Sequence, residues 1–231
     1  MSLPKKLIAL PNRDKFFHEE WTKDRDLLNI PHPFRCLCMG PPNTGKSTTV
    51  KNILLRADPP FEEIYIIHCD PEYTQEYDDL FNIDAKGKRD DSVKMMASIP
   101  APEEFEGLYK TLVIIDDLEL KDLHRNQKRS LDRLFGFVST HKNISVALCS
   151  QDPFSVPAIV RRCSNLFVLW KMVDMNSLSA TSKRIGLNTG ELNVLFETLL
   201  TDPRDSLWVD LTDNSPAKLR KNGYDIIEKR R

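Results

Sequence analysis

Residues 34–55 read FRCLCMGPPNTGKSTTVKNILL, and the fold turns on how this stretch is divided. Phe34 to Met39 is a short apolar run that ends at Gly40, which predicts a buried strand. From Lys46 to Leu55 the apolar residues recur at helical spacing, until Asp58-Pro59-Pro60 stops them. The intervening residues match G-x-x-x-x-G-K-[ST], with the strand before and the helix after that this pattern needs. Its glycines let backbone N–H groups turn inward around phosphates, and the helix start favours the same negative charge. Gly40, Pro41, Pro42, Asn43, Thr44, Gly45, Lys46, Ser47 and Thr48 are therefore the candidate nucleotide-binding residues. Lys46 is expected to reach the β- and γ-phosphates, and Ser47 to hold Mg²⁺. The prolines stiffen the loop relative to a glycine-rich one, as suits a preset cradle.

Two downstream strand ends supply further chemistry. Leu112 to Asp117, LVIIDD, is an apolar strand that delivers two carboxylates to its C-terminal edge. Asp116 is the candidate partner of the metal, and Asp117 is placed to orient or deprotonate an attacking water. In NISVALCSQ, residues 143–151, Gln151 follows an apolar strand. If that strand neighbours the Asp116 strand, the amide faces the γ-phosphate. Arg161 and Arg162, on a predicted short helix, are candidates for an arginine finger reaching a neighbouring subunit's nucleotide. Arg125, Arg129 and Arg133 compete for that role.

The remaining composition narrows the classes. The chain has 231 residues, 40% hydrophobic and 29% charged, which fits a globular protein with one sizeable core. A net charge of -1 gives no global basic signature, so a nucleic-acid partner would have to be met by a local patch. Two such patches stand out: Lys218, Arg220, Lys221, Lys229, Arg230 and Arg231 in the tail, and Lys121, Arg125, Lys128, Arg129 and Arg133. No apolar stretch is long enough to span a membrane, and Leu7 to Leu10 is too short for a signal-peptide core. Cys36, Cys38, Cys69, Cys149 and Cys163 lack zinc-finger spacing. His32 with Cys36 and Cys38 could form a metal site, but small buried strand residues are the simpler reading. Reduced thiols point to an intracellular protein.

Further strands are predicted at Glu63–His68, Thr111–Ile115, Ile144–Cys149, Leu166–Trp170 and Ser206–Leu211. Helices are predicted at Asn126–Val138, Pro157–Arg162, Ser177–Ile185 and Gly190–Leu200. This alternation indicates an α/β fold with a mostly parallel central sheet flanked by helices. A single domain over residues 1–231 is expected, with 1–33 as a lead-in anchored by Phe16, Phe17 and Trp21. Residues 214–231 are expected to form a basic C-terminal tail.

The order GPPNTGKST, LVIIDDL, THKNISVALCSQDPFSVPAIVRRCSNLFVL resembles the genome-packaging ATPases of double-jelly-roll DNA viruses, in the FtsK/HerA branch of DNA-pumping motors. The likeness spans roughly residues 34–171. It implies a P-loop NTPase fold of the additional-strand, RecA-like type and ATP with Mg²⁺ as cofactors. It also implies a homo-oligomeric ring, often of six subunits in related motors. Such a ring drives double-stranded DNA, independently of sequence, into a preformed capsid, and so implies capsid or vertex partners. The location implied is the viral assembly site inside the host cell, with retention in the virion left open. The chain departs from the group at Thr140-His141, where relatives often carry Arg before the His. The role given to that arginine therefore does not transfer. Another DNA-translocating or helicase-like P-loop ATPase, a nucleotide kinase, a GTP switch and a nucleotide-binding capsid-vertex component without motor activity are the alternatives. No Asn-Lys-x-Asp guanine-reading motif is present to favour the switch.

Overall fold

A computed structural model describes residues 25–81 and 92–227. The expected anchors Phe16, Phe17 and Trp21, and the tail residues Lys229, Arg230 and Arg231, lie outside them. The core is a 9-stranded sheet in the order β3-β2-β4-β5-β1-β6-β7-β8-β9. Its strands are β1 (Arg35–Met39), β2 (Glu63–Ile67), β3 (Val93–Met96), β4 (Thr111–Ile115), β5 (Ile144–Ser150), β6 (Leu166–Trp170), β7 (Ser206–Asp210), β8 (Leu219–Lys221) and β9 (Asp225–Ile226). The first six in space run parallel, and β7, β8 and β9 add antiparallel.

β4, β5 and β6 are buried along their whole length, which is why their sequences are continuous apolar runs without alternation. Successive side chains nonetheless feed opposite faces. Leu37, Met39, Val113, Ile115, Val146, Leu148, Phe167 and Leu169 pack on one side. There they meet α2 (Arg125–Arg133), α4 (Met175–Ile185) and α5 (Thr189–Leu199) through Leu131, Leu178, Ile185, Leu192 and Phe196. Cys36, Cys38, Ile64, Ile66, Leu112, Ile114 and Val168 pack on the other, against Val50, Ile53 and Leu54 of α1 (Lys46–Leu55) and against Leu28, Ile30 and Phe34.

Helix ends follow local chemistry. Asp174 caps α4 by accepting from the N–H groups of Asn176 and Ser177, and Gly186 ends it in the left-handed region. Asn188 and Glu191 cap α5 reciprocally. α2 continues through a π-helical turn at Leu134–Val138 into Ser139–His141, and a short α3 covers Ala158–Cys163. Among the described residues, no helix is long and apolar enough to cross a membrane.

Two features go beyond the sequence reading. Val93–Met96, set in a polar stretch, is a strand because it hydrogen-bonds alongside β2 at the sheet edge. Within the expected basic tail, two short strands, β8 and β9, join the sheet. Leu219–Lys221 pairs with β7, and Arg220 is only 3% exposed. The Arg220 guanidinium donates to the carbonyls of Leu28 and Gly223 and lies over the Trp208 ring. Arg220 is thus a structural cation and is withdrawn from the candidate DNA contacts.

Asp205 ties this C-terminal hairpin together. It accepts from the N–H groups of Thr201 and Asp202, from Asn222 Nδ2 at 2.9 Å and from Lys221 Nζ at 2.8 Å. Burial alone would raise this carboxyl, but Lys221, Asn222 and the Asp202 amide hold it well below the usual range. A depressed folded pKa gives stability that is fully present above the unfolded value, near ~3.9, and lost as pH falls through the folded value. Asp205→Asn should therefore lower unfolding free energy by about 2 kcal/mol at pH 7, since it removes charge-assisted bonds from a buried network. The gap to the parent chain should close as denaturant titrations are repeated below about pH 4.

Candidate functional site

β1 and β4 do not touch; β5 lies between them and pairs with both, Met39 facing Ser150 and Ile115 facing Leu148. The loops leaving these strands therefore open at the same edge of the sheet. They surround a cavity of about 720 Å³ lined by residues 42–49, Glu76, Asp116, Asp117, Gln151 and Arg204. A second cavity of about 420 Å³ shares Lys46, Asp116, Asp117 and Gln151 with it.

The cradle is shaped by its backbone. A Cβ on Gly40 would sit 2.6 Å from Trp170 Cβ, so only glycine lets β1 leave the sheet this close to β6. Gly45 and Asn43 adopt left-handed φ values of 96° and 60°. No side chain caps α1 at Gly45, which leaves the first-turn amides available to an anion. Thr44 Oγ1 donates to Pro41 O at 2.9 Å and braces the loop from within. Lys46 Nζ folds back on the carbonyls of Gly40 and Pro41, at 3.0 and 2.7 Å. Its ammonium is thus held at the cradle by acceptors that a phosphate can outcompete.

Asp116 is buried, at 5% exposure. Its Oδ2 accepts from the Tyr77 hydroxyl at 2.6 Å and its Oδ1 from the Asp117 N–H at 3.1 Å. Burial, then the Asp116 charge, drive the Tyr77 phenol far above its ordinary value, so it stays a proton donor to the carboxylate. Asp117 is exposed, with a left-handed φ of 50° that turns the chain out of β4. Ser47 and Asp116 offer hard oxygen donors beside the lysine, a donor set that fits Mg²⁺.

The candidate arginines behave differently. Arg161 donates to Pro153 O and Val156 O within its own loop. Arg162 is exposed, and neither lines the cavity. The geometry thus keeps both away from this chain's own phosphate-loop cavity. Two residues absent from the sequence expectation stand in or beside the site: Tyr77 behind Asp116, and Arg204 at the cavity wall. Tyr77 comes from an acidic loop with no motif spacing, and Arg204 from the turn before β7, so neither carried a local signal.

Among the described residues, His32, Cys36 and Cys38 do not come together as a group of possible metal ligands. His32 Nδ1 meets Ser145 Oγ at 2.8 Å, and burial with the Lys110 charge pushes the imidazole down to about 3. Among the described residues His68, Cys69 and Asp117 do come together, their ligand atoms within 4.8 Å of one another. His68 Nδ1, however, accepts the Asp70 N–H at 3.0 Å, which commits that lone pair and fixes the tautomer.

Replacing Tyr77 by Phe should leave nucleotide affinity within about twofold. It should lower turnover about tenfold, because Asp116 loses the donor that fixes its rotamer. Titration calorimetry beside steady-state phosphate release separates the two effects.

No family model and no curated protein sequence matches the chain. Solved structures do. The genome-packaging NTPase B204 of Sulfolobus turreted icosahedral virus 2, in complex with AMPPCP, is 19% identical. It covers 85% of this chain and 100% of its own at a TM-score of 0.60. B204 of Sulfolobus turreted icosahedral virus, a DNA-packaging ATPase, is 17% identical and covers 80% and 95% at 0.56. The pCW3 conjugation coupling protein TcpA is 14% identical and covers 85% of this chain and 61% of its own at 0.55. With β5 set between β1 and β4, and at this level of structural likeness, the chain has the α/β fold of the additional-strand P-loop NTPases.

Proposed function

We propose that the chain is an ATP-hydrolysing motor that translocates double-stranded DNA into a viral capsid, acting as a homo-oligomeric ring. The observation that carries this reading is the meeting of Lys46, Ser47, Asp116, Asp117 and Gln151 around one cavity at three adjacent strand ends. The phosphate-binding loop and first-turn amides hold the triphosphate, with Lys46 leaving its loop carbonyls for the β- and γ-phosphates. Ser47 and Asp116 would hold Mg²⁺, which would supply charge neutralisation to the phosphates. Asp117 takes the proton of the attacking water or orients it, and Gln151 bonds the water or the γ-phosphate from the neighbouring strand. The similar packaging ATPases and the block order in the sequence support DNA as the load and capsid or vertex proteins as partners. An arginine finger from a neighbouring subunit, Arg161 or Arg162, belongs to the same proposal.

The DNA-facing cations proposed are on α2. Arg125 and Arg129 are exposed and one helical turn apart, on the same face. Lys121 pairs with Asp152 and Arg133 with Glu103, so these two are already engaged.

Phosphate release with and without linear duplex DNA tests the proposal. Lys46→Ala and Asp117→Asn should each lower turnover by a factor on the order of 10² or more. Unchanged turnover in both would sink the ATPase reading. The double variant Arg125→Ala/Arg129→Ala should keep DNA-free turnover and lose DNA stimulation, with the salt slope of DNA binding falling by about 2. Turnover indifferent to DNA in the parent chain would leave an ATPase and overturn translocation.

A further inference from the structure

A third cavity, of about 220 Å³, opens off the phosphate cradle between α1 and the β7–β8 hairpin. Thr49 and Arg204 line both cavities, so the smaller one continues the larger. Its other walls carry Asn52, Trp208 and Tyr224. It is large enough for one planar ring system and sets the aromatic side chains of Trp208 and Tyr224 beside polar ones, among them Asn52, Arg204 and Asn222, the character of a ligand subsite.

The walls are held in place. Asn222 accepts the Ser206 N–H at 2.8 Å and donates to Asp205 at 2.9 Å, which fixes the turn that carries Tyr224. The Tyr224 ring, about half exposed, lies 5.4 Å from the guanidinium carbon of Arg56 at the end of α1, so it spans from hairpin to helix. Arg204 is clamped by its backbone: its N–H reaches Asp202 Oδ1 at 2.8 Å and its carbonyl accepts from Trp170 Nε1 at 3.2 Å. No ion pair engages its guanidinium among the described residues. Asn52 Nδ2 donates to Thr48 O at 2.9 Å, which leaves Oδ1 as the amide's acceptor.

We propose that this cleft receives the base of the nucleotide, with Tyr224 stacking on it, Asn52 Oδ1 selecting a base that carries an amine, and Arg204 reaching the phosphates from beside it. The proposal rests on the nucleotide reading of the cradle and deepens it. Thr48 and Thr49 are the last cradle residues, so sugar and base leave toward this cleft. An acceptor at Asn52 accepts a hydrogen bond from the exocyclic amine of adenine but meets the carbonyl of hypoxanthine with a repulsive lone pair.

Calorimetric titration of the full chain with ATP, ITP and inorganic tripolyphosphate tests it. ATP should bind at least tenfold tighter than tripolyphosphate and about fivefold tighter than ITP. Tyr224→Ala should weaken ATP about tenfold and leave tripolyphosphate unchanged, and Tyr224→Phe, which keeps the ring, should match the parent. Asn52→Ala should erase the preference for ATP over ITP. Arg204→Ala should weaken all three ligands. Equal affinity for ATP and tripolyphosphate in the parent, or ATP binding untouched by both Tyr224→Ala and Asn52→Ala, overturns the base site while the cradle stands. Binding of neither ATP nor tripolyphosphate overturns the cradle as well.

Discussion

The insertion of β5 between β1 and β4 fixes everything else at the edge of the sheet where the phosphate loop opens. Hydrogen-bond register sets Cys38 beside Cys149 and Ile115 beside Leu148, so three chain segments far apart in sequence exit side by side. A parallel ladder allows no slip here. A shift of one residue would send Leu37 and Met39 to the α1 face and Cys36 and Cys38 to the other. Because each face is packed by different partners, the apolar alternation within the strands holds the register, and the register holds Lys46, Asp116 and Gln151 around one cavity.

The site itself is organised by short-range contacts that protect charges until they are needed. Lys46 rests on loop carbonyls, Asp116 on a buried phenol and a backbone amide. Each is paired with neutral dipoles, which a phosphate or a cation can displace. Cys38 and Cys149 lie behind them, and their thiols are pushed well above the ordinary range. Neutral thiols make apolar filler there and add no competing negative charge.

Much of this is legible in the sequence. The strand–loop–helix around GPPNTGKST, the acidic end of LVIIDD and the strand of NISVALCSQ carry continuous apolar runs and fixed spacing, signals that depend only on neighbours in sequence. What was hidden depends on distant partners. Val93–Met96 is a strand because β2 offers an edge, and Leu219–Lys221 because β7 does. Arg220 looks like part of a basic tail by composition, yet a Trp ring and two carbonyls bury it. Tyr77 and Arg204 belong to segments without periodicity, and only tertiary placement gives them a role.

The contacts of Arg25 and Arg220 carry a kinetic consequence. Arg25 pairs with Asp210 at 2.5 Å across 185 positions of chain, and Arg220 reaches the Leu28 carbonyl across 192. Segments from opposite ends of the described chain thus close over the same face that α1 packs against. Loop closure over such distances is slow, and it comes after the local helices have formed. A growing chain on a ribosome will have its phosphate loop long before its apolar underside is sealed by the β7–β8 hairpin. In the interval between those two events that apolar face stands uncovered, the condition under which partly folded chains associate.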